Sequence, residues 1–158
     1  MNKKLNVIKF VTFKNCSYLC AIMNNTRFAT IIHILTILAK YPDQWMSSEW
    51  IAESININPV IVRKELAVLH KKGWVQSKKG KEGGTMLQVS SCEISMADIF
   101  NAVKNSNVLG KKNTCTNTKC PIGKEINTEL EKLFDQTDEI VVNHLKNKSL
   151  KNFIEQFK

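Results

Sequence analysis

The dipeptide Asn58-Pro59 constrains the fold more than any other part of the chain. Asparagine ahead of proline is a strong helix start. The amide side chain can cap free backbone N–H groups, and proline's fixed φ suits the first helical position, where no N–H is needed. The helix is predicted to run to Lys72 and stop at Gly73, with Val62, Leu66 and Leu69 as its core stripe. Before it, Ser47 and Ser48 are cap candidates for a short helix over Glu49–Ser54, with Glu49 near the positive end of its dipole. Ile55-Asn56-Ile57 is a brief turn between them.

The flanking segments extend the pattern. Apolar Phe28, Ile31, Ile32, Leu35 and Leu38 recur at helical spacing between Asn25 and Lys40, with Asn25 or Thr26 as cap and Tyr41-Pro42-Asp43 as stop. After Gly73 come two short strands, Trp74–Lys79 and Thr85–Val89, around the turn Gly80-Lys81-Glu82-Gly83-Gly84. Ser95 and Asp98 suit a reciprocal cap for a helix from Met96 to Lys104. A polar loop, Asn105–Lys119, leads to a long helix from Pro121 to Lys146. Along it Ile126, Leu130, Leu133, Thr137, Ile140 and His144 alternate in steps of four and three, the heptad spacing of a helix that packs along another helix. Packing within one chain is the alternative for that seam. Ser149 is a cap for a last short helix ending near Phe157.

Two short helices, a tight connection, a basic second helix and a glycine-turned hairpin spell a winged helix-turn-helix. The fold class is therefore mainly α with a small β-hairpin wing, followed by a long C-terminal helix. The charge pattern gives this order a chemical meaning. The chain has 23 Lys and Arg against 14 Asp and Glu, a net charge of +9, which points to a polyanionic partner and first to nucleic acid. Lys3, Lys4, Lys9 and Lys14 supply four of those charges in an arm without acids. The informative stretch is Pro59–Lys81, where Arg63, Lys64, Lys71, Lys72, Lys78, Lys79 and Lys81 meet one acid, Glu65.

An α-helix fits the major groove of duplex DNA, where base edges carry a readable donor and acceptor code. Asn58, Val60, Ile61, Arg63 and Lys64, near the start of the second helix, are the candidates to face the bases. Arg63 can pair with guanine, and Val60 or Ile61 can touch a thymine methyl. Lys78, Lys79 and Lys81 at the hairpin tip can reach phosphates or the minor groove, and Lys71 and Lys72 the backbone. Two other readings of the pattern stay open: an ordinary solvated face, and a winged helix that docks a protein.

No enzyme constellation is visible. His33 and His70 sit in helical patterns without a nucleophile or paired carboxylates, and Gly80–Gly84 lacks the Gly-Lys-Ser/Thr ending of a phosphate loop. No small-molecule substrate or membrane partner is expected. No apolar run approaches the roughly 18–20 residues of a spanning helix. Residues 1–22 lack a clean signal-peptide core, being broken by Lys9, Lys14 and Asn15. Five cysteines form no regular framework, which suits a reducing cytoplasm. Cys16-x-x-x-Cys20 and Cys115-x-x-x-x-Cys120 have spacings that zinc permits, at an unusual separation.

The chain resembles the IscR/NsrR/CymR-type (Rrf2) family of bacterial transcription regulators over about Met23–Phe157. The resemblance is carried by Thr26-Arg27-Phe28-Ala29, Trp50-Ile51-Ala52-Glu53-Ser54, Asn58-Pro59-Val60 with Val62-Arg63-Lys64, Leu69-His70-Lys71-Lys72-Gly73-Trp74-Val75, the wing glycines, and Ile94-Ser95-Met96-Ala97-Asp98-Ile99. It implies a homodimer in which the long helix crosses its twin and each subunit offers a winged helix to half of a palindromic operator, most often as a repressor. The chain then divides into a basic extension over 1–22, a DNA-binding domain over 23–92, and a helix, cysteine loop and dimerisation helices over 93–158.

Many such regulators hold an iron–sulfur cluster through three loop cysteines. This loop has Cys115 and Cys120 only, which is thin for a cluster, so no cofactor is favoured and an iron–sulfur regulator remains the alternative. Cys120 precedes a helix start, where the dipole and nearby Lys119 and Lys124 favour a reactive thiolate. Cys120, with Cys115 or a partner cysteine, is thus a candidate redox sensor. An unreactive loop thiol is the plain alternative. Cys92 reads as a small apolar residue.

Overall fold

Short-range signals set most of the element boundaries in the computed structural model, which describes residues 26–80 and 82–157. The basic extension, Cys16, Cys20 and Lys81 lie outside the described residues. The elements are α1 (Arg27–Lys40), α2 (Ser48–Ile55), α3 (Pro59–Lys71), β1 (Val75–Lys78), β2 (Gly84–Leu87), α4 (Met96–Val103), α5 (Pro121–Lys146) and α6 (Leu150–Ile154).

The Asn58 carboxamide accepts the Val60 N–H at 2.8 Å and caps α3 behind Pro59. Ser47 caps α2 through the Trp50 N–H. Asn56 ends α2 in the left-handed region, φ 58, a conformation that asparagine tolerates better than most side chains. Gly73, at φ 72, stops α3. At α4 the reciprocal cap is complete: the Asp98 N–H donates to Ser95 Oγ at 3.0 Å and the Ser95 N–H to Asp98 Oδ2 at 3.1 Å.

Some ends differ from the sequence expectation. Thr26 occupies the cap position of α1 but makes no side-chain cap bond, because its backbone is already helical (φ −68, ψ −5). The strands are shorter than expected, although the Gln88 N–H still donates to the Trp74 carbonyl beyond their ends. β1 and β2 pair antiparallel, Val75 opposite Leu87 and Lys78 opposite Gly84. β2 also exchanges two backbone bonds with Met46, ahead of α2, at 2.9 and 3.0 Å. That contact requires Gly84, since a Cβ there would stand 2.7 Å from the Met46 carbonyl oxygen. The wing is thereby anchored to the segment that leads into α2.

α1 is the central element. Its Ile31, Ile34, Leu35 and Leu38 are buried against Ile51 of α2, Val62 and Leu69 of α3, Val75, Ile99 and Val103 of α4, and Leu150 of α6. One core therefore includes both the helix-turn-helix and the C-terminal segments. The α6 end is sewn on by backbone bonds, Met96 N–H to Lys148 O at 2.7 Å and Leu150 N–H to Ile94 O at 2.8 Å. Among the described residues no helix is long and apolar enough to cross a membrane.

Two buried acids fix the rest. Glu65 of α3 accepts both of its bonds from Arg27 Nε, at 2.8 and 2.9 Å, while Arg27 Nη1 reaches the Val103 carbonyl and Asn105. Asp138 of α5 is buried and accepts from the Val108 N–H and Asn107 at 2.8 Å each, beside Lys104 Nζ at 2.5 Å. Burial pushes the Asp138 carboxyl up, but Lys104, the Val108 amide and Asn107 outweigh it and hold the group below the ordinary carboxylate range. A depressed folded value gives stability that is present above the unfolded carboxylate value, about 3.9, and is lost as pH falls through the folded one. Asp138→Asn is expected to lower stability by about 1.5–3 kcal/mol at neutral pH and to flatten the acid limb of the curve. Urea unfolding at several pH values measures both, and an unchanged acid limb contradicts this role.

Candidate nucleic-acid interface

The solvent face of α3 follows from what its other face must bury. Val62, Glu65, Leu66 and Leu69 point into the protein, so helical periodicity turns Val60, Ile61, Arg63, Lys64, His70 and Lys71 outward, and all six are exposed. Val60 is 64% and Ile61 47% exposed. The only acid between Pro59 and Lys81 is consumed inside by Arg27, so the outward face of α3 carries basic and neutral side chains alone.

Arg63 is held by its neighbours on α2. Its Nε donates to Ser48 Oγ at 3.1 Å, its Nη2 donates to Glu49 Oε1, and Ser48 Oγ donates to Glu49 Oε2 at 3.1 Å. The Arg63 bond first, then Glu49's own amide and Ser48, holds the Glu49 carboxyl below its ordinary range, so it is ionised at neutral pH. A cleft of about 480 Å³ runs between α3 and the wing, lined by Ser48, Arg63, His70, Lys71, Ser77 and Thr85 among others. Lys78 and Lys79 are exposed at the far end of β1, next to Gly80, which turns the wing at φ 114.

The predicted site residues thus fall on two elements. Val60, Arg63 and Lys64 share the exposed start of α3, and Lys78 and Lys79 sit on the wing. Asn58 differs in role, since its amide oxygen is committed to the α3 cap and only its NH2 remains to donate outward. Sequence reasoning missed Glu49 and Ser48 as partners of Arg63. The signal was their place at the start of α2, one tight turn from α3.

The thiols lie elsewhere. Cys115 is exposed in the loop, 3.8 Å from Thr114 Oγ1, and Cys120 is half-buried at the N-cap of α5 without a side-chain cap bond. Cys92 is exposed, not packed as expected, because it lies in the turn between the wing and α4. Among the described residues no group of three or more His, Cys, Asp or Glu side chains is placed to hold a metal ion.

Comparison with known proteins matches this architecture. A family model described as Rrf2, iron-dependent transcriptional regulator, covers residues 24–156. A Bacillus subtilis (strain 168) protein named as an HTH-type transcriptional regulator, YwnA, is 36% identical over 130 residues, 82% of this chain and 96% of that one. A crystal structure described as a DNA-binding protein is 34% identical with a TM-score of 0.64, covering 81% of this chain and 98% of that one. CymR, the global cysteine regulator of B. subtilis, shares the fold at 18% identity and a TM-score of 0.61, covering 86% of this chain and 98% of that one. The order of helices and wing, the outward basic face of α3 and a match over 24–156 together establish that the chain belongs to the Rrf2 family, whose members are transcriptional regulators and not enzymes.

Proposed function

We propose that the chain is a repressor that binds a palindromic DNA operator as a homodimer, reading bases with the start of α3 and phosphates with the wing. The observation that carries this is the pair Val60 and Ile61. Two large aliphatic side chains stand open to water beside Arg63 and Lys64, on a helix whose opposite face fills the core. A base-reading helix needs such a mixed surface, with apolar groups for thymine methyls and a guanidinium for guanine.

The two-fold part rests on α5. Leu133 is 51% and Ile140 70% exposed along the heptad seam, while Asp138 and Leu145 face the same chain. A second α5 crossing there would cover the exposed row. The sensing part rests on Cys120, because a modified thiol at the first turn of α5 would act on the helix that joins the protomers. Its location in a reducing cytoplasm keeps that thiol free at rest.

An operator selected from a randomised duplex pool by the full chain tests the reading. Arg63→Ala is expected to weaken binding to that duplex about 10- to 100-fold, as one bidentate base contact predicts. Unchanged affinity in a gel-shift titration would remove α3 as the reading helix. Repeating the titration with peroxide on the wild type and on Cys120→Ser tests the sensor, and operator binding indifferent to oxidant would discard it.

A further inference from the structure

We infer that Glu49, seated on Ser48, is a specificity-determining positioning residue that fixes the Arg63 guanidinium end-on for guanine. The inference rests on the DNA-binding reading above and deepens it.

The geometry is a closed ring of three hydrogen bonds. Arg63 spends Nε and one Nη2 hydrogen on Ser48 and Glu49, and Ser48 spends its own hydrogen on Glu49. A guanidinium has five N–H donors in a planar fork. Three remain, two on Nη1 and one on Nη2, and one from each of these nitrogens lies on the outer end of the fork. That end is the one that pairs with guanine O6 and N7. The inner edge is thus used for support and the outer edge is kept for the base.

Support of this kind has no other clear purpose here. Both partners are more than half exposed, and an exposed ion pair adds little to stability. A carboxylate on a face that meets phosphates also opposes binding in general. Glu49 therefore weakens attraction to any duplex while holding Arg63 in one of its many rotamers, which favours a duplex with guanine in the right place.

The experiment uses the full chain and a randomised duplex pool, selected and sequenced with the wild type, Arg63→Ala, Glu49→Ala and Glu49→Gln. The wild type should enrich a guanine at one position per half-site, and Arg63→Ala should lose that preference. Glu49→Ala should cut the guanine preference at the same position about tenfold, a part of the discrimination that one bidentate contact provides, and leave other positions alone. Its affinity for random duplex should rise about two- to threefold as one negative charge leaves the phosphate-facing surface. Glu49→Gln, whose amide oxygen still accepts from Nη2, should keep most of the preference.

A glutamine variant as indiscriminate as the alanine variant would mean that charge, and not position, matters, and would overturn the inference. So would full guanine preference in Glu49→Ala, or base preferences untouched by Arg63→Ala. A wild type that enriches no sequence and binds duplex without salt sensitivity would instead defeat the DNA-binding reading itself. Unchanged thermal midpoints in all three variants show that the fold is intact.

Discussion

Arg27→Ala is expected to lower the unfolding free energy by about 3–5 kcal/mol, the range for removing one partner of a buried ion pair. Glu65 is only 3% exposed and accepts from Arg27 at both of its carboxylate oxygens. Without these bonds a carboxylate would stand uncompensated between α1 and α3, and α3 would lose its tie to α1 and to the end of α4. The urea midpoint should fall with little change in slope, because the surface exposed on unfolding is nearly the same. The double variant Arg27→Met, Glu65→Leu should recover most of the loss, since the cost lies in the unpaired charge. A drop below about 1 kcal/mol in the single variant would show that something else satisfies Glu65.

Placing charges on the α5 seam, Leu133→Glu with Ile140→Glu, should have the second large effect. Both side chains are exposed in the single chain, so the protomer should still fold. Four carboxylates brought together across the proposed two-fold seam would oppose association, so the variant should sediment as a monomer at concentrations where the wild type is expected to dimerise. Binding to a duplex with two half-sites should fall at least about 100-fold, because the second half-site is no longer tethered at high effective concentration. Binding to a single half-site should hardly change. A variant that stays dimeric would move the two-fold contact to another face.

These two predictions mark where sequence reasoning worked and where it stopped. Asn58-Pro59, Ser47 and the Ser95–Asp98 cap were legible because each is settled within four residues of chain. The heptad row of α5 was legible for the same reason, as a repeat along one helix. Glu65 was not, because an acid on a basic helix looks like a solvent-facing charge until Arg27, 38 residues away, folds onto it. Asp138 is similar: its partners Asn107 and Val108 arrive from a loop without periodicity. The inner face of α5 stayed hidden beside the more regular outer row.

The candidate site divides the same way. Val60, Arg63 and Lys64 were legible from the order of elements, since a helix with one known buried face has a known exposed one. The support of Arg63 by Ser48 and Glu49 needs the angle at which α2 and α3 cross, which the left-handed Asn56 sets and sequence alone does not give. Asn58 was read only in part: its oxygen serves the backbone of α3, and its NH2 is what remains to face outward.

In the proposed function the outward face of α3 and the wing hold duplex DNA. Equilibrium binding of the full chain to its selected operator, measured by fluorescence anisotropy from 50 to 200 mM salt, tests it most directly. With roughly 6–10 phosphate contacts per dimer the affinity should fall about 10³- to 10⁵-fold across that range, linearly in log–log form. Lys78→Ala with Lys79→Ala should reduce the slope. Affinity that stays flat with salt, or binding absent at every salt concentration, would mean that these surfaces do not hold DNA.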